Sequence, residues 1–246
     1  MKISLQISYD GTNYNGWQKQ NNNTNGKVAI QNVIDEALTN LYDENIQTIG
    51  ASRTDAGVHA FCQIAVYEAK DKLPVEKIAV ILNQRLPSDI RIVKSYEVDA
   101  GFHPRYMAKS KTYEYKVGNS DVVLPIYRNF ILSKKGDYDL LKMQTACGKL
   151  VGKHDFKGFS NESDVKDTVR EIYYCNVKEE DGVFIFTIKG NGFLYNMIRI
   201  VVSTILEIGL LRKNISVIDE ILLTRNRNLA SSTEKAHPLI LKEIEY

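Results

Sequence analysis

The chain has 246 residues, enough for one large domain or two small ones. Apolar residues make up 43% of it and charged residues 25%, close to globular averages, which excludes wholesale disorder, a collagenous chain and a disulfide scaffold. With 32 basic against 30 acidic residues the formal charge is only +2, so any nucleic-acid-binding surface has to come from local clustering.

Residues 3–9 alternate, with Ile3, Leu5, Ile7 and Tyr9 apolar, which predicts a half-buried strand stopped by Asp10-Gly11. The amino terminus has no apolar run of signal-peptide length. Residues 11–26 read as a loop with six asparagines between Asn13 and Asn25, suited to an exposed, mobile arm. Val28, Ile30, Val33, Ile34, Ala37, Leu38 and Leu41 then recur at steps of three and four, one apolar stripe on a helix of about four turns. Strands are expected near 46–51 and 58–67, joined by the turn 52–57. A helix follows Pro74 with Val75, Ile78, Ala79 and Leu82 inward, and Ile90, Ile92 and Val93 lead a closing strand. The order is βαββαβ.

The second part repeats that order: a strand at 112–117, a helix at about 137–151, a hairpin of 169–177 with 183–188, a long helix at 195–211, a short one at 216–223 and a last strand at 239–244. The fold class is therefore α+β, with two ferredoxin-like (βαββαβ, RRM-like) halves of antiparallel sheet, residues 1–108 and 109–246. This unit underlies the commonest RNA-binding module and also hosts many unrelated functions. The most apolar stretch, residues 197–211, is shorter than the ~18–20 residues of a membrane span and carries Arg199 and Glu207, so no membrane helix is expected. Cys62, Cys147 and Cys175 lie far apart with no C-x-x-C spacing and read as free thiols in a reducing compartment.

Five segments hold more special residues than packing needs. Residues 9–18, YDGTNYNGWQ, form a strand end and a glycine-rich turn and contain the only tryptophan; they lack the P-loop pattern, and Gly190 and Gly192 likewise fall short of G-x-G-x-x-G. In residues 51–60, ASRTDAGVHA, small residues on both sides of Arg53-Thr54-Asp55 permit close approach of backbone or substrate. An exposed Arg53–Asp55 salt bridge is the competing reading there. Residues 102–115, FHPRYMAKSKTYEY, interleave basic and aromatic side chains, the composition that neutralises phosphates and stacks bases, although Tyr113 and Tyr115 also fit one face of an ordinary strand. His154-Asp155-Phe156 opens a segment whose phenylalanines suit core anchors. Residues 192–199, GFLYNMIR, place Arg199 one turn into an apolar helix, where it must snorkel outward or meet an acid. His59, His103, His154 and His237 show no metal-ligand spacing.

Together and in this order, these segments resemble the bacterial tRNA pseudouridine synthase A family. Its pattern runs Y-D-G…G-W-Q, G-R-T-D-A-G-V-H-A, F-H-A-R…K-x-Y-x-Y, H-D-F and F-L…M-V-R, and the resemblance covers nearly the whole chain. It implies a cytoplasmic homodimer that isomerises uridine to pseudouridine in the anticodon stem-loop of tRNA (positions 38–40), without cofactor or metal, on two ferredoxin-like halves flanking a central basic active-site cleft. By the same resemblance Asp55 is the catalytic aspartate, Arg53 the arginine that enters the RNA where the base flips, Tyr113 the tyrosine stacked on the target uracil, and Arg199 the arginine paired with the aspartate. His59, Arg105 and Lys111, in the same motifs, are expected to contact substrate. The chain departs from the pattern at Ser52, where glycine is usual, at Pro104, where alanine is usual, and in the stretch 236–241, which follows the usual A-P…G-L-x-L only loosely. Three other readings stay open: a paralogue acting on other uridines, a non-catalytic RNA-binding or tRNA-folding protein, and a hydrolase with paired carboxylates such as Asp10 and Asp55.

Overall fold

The computed structural model describes residues 1–20, 26–70, 73–161 and 166–246, so residues 21–25 of the expected asparagine-rich arm lie outside the described residues. The fold is mixed α and β with five α-helices among the described residues. The chain divides into two compact units, Met1–Lys109 with Ile240–Tyr246, and Ser110–Leu239.

The first unit runs β1 (Lys2–Tyr9), α1 (Ile30–Tyr42), β2 (Ile49–Gly50), β3 (His59–Glu68), α2 (Val75–Asn83) and β4 (Ile90–Glu97). β1 lies between β4 and β3, and β2 adds to β3, every neighbour antiparallel. Ile3, Leu5 and Ile7 of β1 and the stripes Ile30, Ile34 and Leu38 of α1 and Ile78 and Leu82 of α2 are wholly buried. Each such side chain contributes about 1.5–3 kcal/mol by leaving water.

Local chemistry explains where these elements depart from the periodicity. Val28 is exposed and α1 begins only at Ile30, because Ala29 is extended and offers no capping oxygen. The first helical N–H groups go instead to the carbonyls of Gly16 (Ile30 N, 3.0 Å) and Trp17 (Gln31 N, 3.0 Å). The strand expected at 46–51 shrinks to two residues, since Thr48 donates its backbone N–H (2.9 Å) and hydroxyl (2.7 Å) to Asp35 Oδ1 rather than to a ladder. Val93 points outward because the β1–β4 register steps from Gln6–Lys94 to Ile7–Ile92, leaving it as the bulged residue. The start of the expected arm is not loose: Tyr14 and Trp17 are buried.

The second unit contains β5 (Ser110–Gly118), β6 (Leu132–Ser133), α3 (Leu140–Lys149), β7 (Gly152–Asp155), β8 (Val169–Glu180), β9 (Val183–Gly190), α4 (Met197–Gly209) and α5 (Val217–Thr224). Its strands are ordered β5-β9-β8-β7, all antiparallel, with β6 parallel to β5. The β8–β9 hairpin turns through Asp181 and Gly182, both at positive φ, the conformation of a two-residue loop matched to strand twist. Every residue of α4 is buried except Arg199 and Glu207.

The last strand, β10 (Leu239–Glu245), corrects the expected division of the chain. Residues 240–246 belong with the first unit and not with 110–239: Ile240 and Leu241 pair in parallel with His59 and Ala60 of β3. Tyr246 packs on Phe102 with ring centroids 4.9 Å apart. No helix among the described residues is long and apolar enough to cross a membrane.

Candidate active site

In the first unit the loop between β2 and β3 is held from beneath at almost every residue. Gln63 of β3 is fully buried and closes a two-way bond with Ser52: its Oε1 accepts from Ser52 N (3.1 Å) and its Nε2 donates to Ser52 O (2.6 Å). The Thr54 hydroxyl shares a 2.8 Å hydrogen bond with the buried Tyr9 hydroxyl, and Thr54 O accepts from Trp17 N (3.1 Å). Asp55 O accepts from Val58 N (3.1 Å), which closes the turn that Gly57, at φ 81°, completes. Burial alternates accordingly, with Ser52 and Thr54 inward, Arg53 exposed and Asp55 half-buried.

The Tyr9–Trp17 segment, ambiguous in the sequence, is the support of this loop. Gly16 sits at φ 73°, and a side-chain carbon there would stand 2.4 Å from Thr54 O; at Gly11 it would stand 2.0 Å from Val58 O. His59, 1% exposed, ties the same parts together: its Nδ1 accepts the N–H of Gly11 at 3.0 Å and lies 3.0 Å from Asp10 Oδ1. Asp10 Oδ1 is further engaged by Thr12 N (3.0 Å) and the Thr12 hydroxyl (2.6 Å), which gives this carboxylate a capping role.

In the second unit Lys111, Tyr113 and Tyr115 share one face of β5. Tyr113 is 6% exposed and meets Phe193 edge-on, with centroids 5.3 Å apart. The fully buried Tyr115 donates its hydroxyl to Lys235 O (2.8 Å); burial and then the Glu234 carboxylate push that phenol up, partly opposed by the Arg199 charge. Arg199, in the first turn of α4, donates Nε to Glu234 O (2.6 Å), and Glu234 bonds Lys134. Of the expected residues, Arg199 thus joins the Tyr115–Glu234 cluster and Tyr113 stands two residues before Tyr115 on β5, while Arg53 and Asp55 lie in the loop before β3 of the first unit and His59 is the first residue of β3.

Sequence reasoning missed Arg227. Its Nε donates to Asn161 Oδ1 (2.9 Å) and its Nη1 to Ser231 O (2.9 Å), while Asn161 Nδ2 bonds Thr233 Oγ1 (2.9 Å) and Asn196 Oδ1 (3.0 Å). Residues 231–235 form a strap fixed by Arg227, Arg199 and the Tyr115 hydroxyl, although this part of the chain follows no strong motif. The His154-Asp155-Phe156 segment is structural. Phe156 and Phe159 are wholly buried, and although burial alone would raise the Asp155 carboxyl, Thr168, the Lys157 amide and the Arg225 guanidinium hold it below the usual range. Among the described residues no group of three His, Cys, Asp or Glu is placed to hold a metal ion.

Residues 6–107 and 146–246 match the family model described as tRNA pseudouridine synthase. The chain belongs to the tRNA pseudouridine synthase family. It is 41% identical over 247 residues to tRNA pseudouridine synthase A of Acetivibrio thermocellus, covering 99% of each chain. It is 40% identical to the Bacillus cereus protein named tRNA pseudouridine synthase A 2 over 98% of each chain, and 40% identical to the Clostridium tetani protein of that name over 99% of this chain and 98% of that one. The protein is an isomerase that converts uridine to pseudouridine in tRNA. For this synthase the family match takes in the 51–58 loop, its Tyr9–Trp17 support, Arg199 and the 231–235 strap; β5, with Lys111 and Tyr113, lies within the full-length likeness to the relatives.

Proposed function

We propose that this tRNA pseudouridine synthase acts in the cytoplasm as a homodimer, on uridines of the anticodon stem-loop, with Asp55 as the group that works at the ribose. Isomerisation breaks the bond from C1′ to N1 of uracil, turns the base and joins C1′ to C5; C5 loses a proton and N1 gains one. The first demand is a stabilised, electron-deficient C1′. The Asp55 carboxylate meets it by attack at C1′ or by stabilising an oxocarbenium-like state while the C2′ proton is removed. The observation that carries this assignment is the loop itself: Ser52 and Thr54 are buried and bonded to Gln63 and Tyr9, while between and beside them Arg53 is exposed and Asp55 half-buried.

The target atom is inaccessible inside a stacked helix, so the nucleotide is flipped out at a cost of a few kcal/mol. In this proposal Tyr113 returns part of that by stacking on the uracil, and the exposed Arg53 fills the vacated space. In the same proposal Arg199 is the cation assigned to the Asp55 carboxylate. Arg105 and Lys111 contact the RNA, and His59, 1% exposed, acts by holding the loop. The roles rest on two ferredoxin-like halves. Support for that in the first unit is the βαββαβ order with antiparallel strands β4-β1-β3-β2.

The test is pseudouridine mapping of unmodified tRNA incubated with and without the protein. New pseudouridine confined to the anticodon stem-loop supports the proposal. Pseudouridine elsewhere contradicts the anticodon stem-loop and favours a paralogue with other targets. Sedimentation as a monomer at working concentrations contradicts the homodimer.

A further inference from the structure

Between β4 and β5 the chain makes a compact turn whose root is packed and whose tip is bare. At the root, Phe102 packs on the Tyr246 ring at 4.9 Å and the Tyr246 hydroxyl donates to Pro104 O at 2.8 Å. Within the turn His103 Nδ1 accepts the backbone N–H groups of Arg105 (3.2 Å) and Tyr106 (3.3 Å), and Met107 N donates to His103 O (3.0 Å). These bonds fix the imidazole plane. The Tyr106 ring lies against it, with centroids 4.2 Å apart and planes 31° from parallel, yet Tyr106 is 79% exposed. Arg105, beside it, is exposed and makes no ion pair among the described residues.

The hydrogen bonds explain the posture of His103. They do not explain a tyrosine ring held flat in water, where its apolar face has nothing to cover it and its rotamer freedom is already restricted. Such a ring is preorganised for a second π-face. Stacking on aromatic rings with a cation alongside is how proteins hold unpaired nucleotides. A second protein copy is a poorer fit: the apolar tip is one ring and Met107, far below the roughly 1,200 Å² that a stable protein interface buries.

We propose that the Tyr106–His103 pair is a stacking platform for an unpaired nucleobase of the tRNA, apart from the reacting uridine, with Arg105 on a flanking phosphate. The inference rests on tRNA being the substrate and is independent of the role of Asp55.

The experiment measures Kd for unmodified tRNA across a salt series with wild-type protein and the variants Tyr106→Ala, Tyr106→Phe and Arg105→Gln, alongside pseudouridine formation by wild type on the same tRNA. Tyr106→Ala is expected to raise Kd roughly fivefold or more, with KM rising in step, while Tyr106→Phe stays within about twofold. Arg105→Gln should lower the slope of log Kd against log salt by about one, and Tyr106→Ala should leave that slope unchanged. Wild-type affinity in Tyr106→Ala overturns the proposal. So does equal loss in the Phe variant, which points to the hydroxyl, or a loss accompanied by a change in sedimentation, which points to a contact between copies. Failure of wild type to isomerise the tRNA would count against the proposed function and not against the platform.

Discussion

Replacing Gly16 by alanine tests how the Asp55 loop is held. At φ 73° an alanine carries the left-handed strain of an L residue, about 1–2 kcal/mol. Its Cβ would also stand 2.4 Å from Thr54 O and 2.9 Å from Asp55 C, against ordinary contacts of 3.4–4 Å. The obstacle is backbone and cannot rotate away, so the Thr54–Asp55 segment must move by about 1 Å, the order of misplacement that costs ~100-fold in rate. Gly26 supplies the control: φ is 68° and no atom of the described residues lies within 4 Å of its Cβ position, so Gly26→Ala carries the strain without the push. For a chain of this size 1–2 kcal/mol lowers Tm by only a few degrees. Single-turnover release of tritium from uracil C5, with thermal melts, should show Gly16→Ala about 100-fold slower and still folded, and Gly26→Ala equally strained and fully active. Near wild-type rates in Gly16→Ala, or equal losses in both variants, would refute the reasoning.

Two further outcomes follow from buried polar groups. Asp35 is buried, and burial raises its carboxyl against the opposing Thr48 hydrogen bonds and the Lys19 charge; its Oδ2 has no hydrogen-bond partner among the described residues. A folded pKa above the unfolded one penalises folding at neutral pH, and the penalty is relieved as pH falls through the folded value. Asp35→Asn keeps an acceptor for Thr48 and removes the charge, so it should raise Tm at pH 7, with an advantage that shrinks as pH is lowered through the acidic range. His59→Leu leaves the buried Gly11 N–H unpaired at about 1–3 kcal/mol and should lower both Tm and kcat; His59→Asn, which can place an oxygen near Nδ1, should recover most of both.

The elements with strong periodicity were legible in the sequence: β1, the core of α1, the β8–β9 hairpin and α4, whose two residues that are not buried are its charged residues Arg199 and Glu207. The motif residues were legible by resemblance, but their supports were not. Gly11 and Gly16 read as punctuation of a turn, because the carbonyls they make room for, Val58 and Thr54, come some forty residues later. β10 read as the end of the second half, since a parallel pairing with β3 leaves no local pattern. β6 and β7 are too short to show a period. Arg227 and Asn161 have no spacing that marks them; an arginine with carbonyl and amide partners is visible only once the strap is folded.

The most direct test of the central claim is tritium release from C5-labelled tRNA by Asp55→Asn, with tRNA affinity measured on the same preparation. The account predicts no release above background with affinity close to wild type. Release at a rate near wild type would show that the chemistry at C1′ is done by another group.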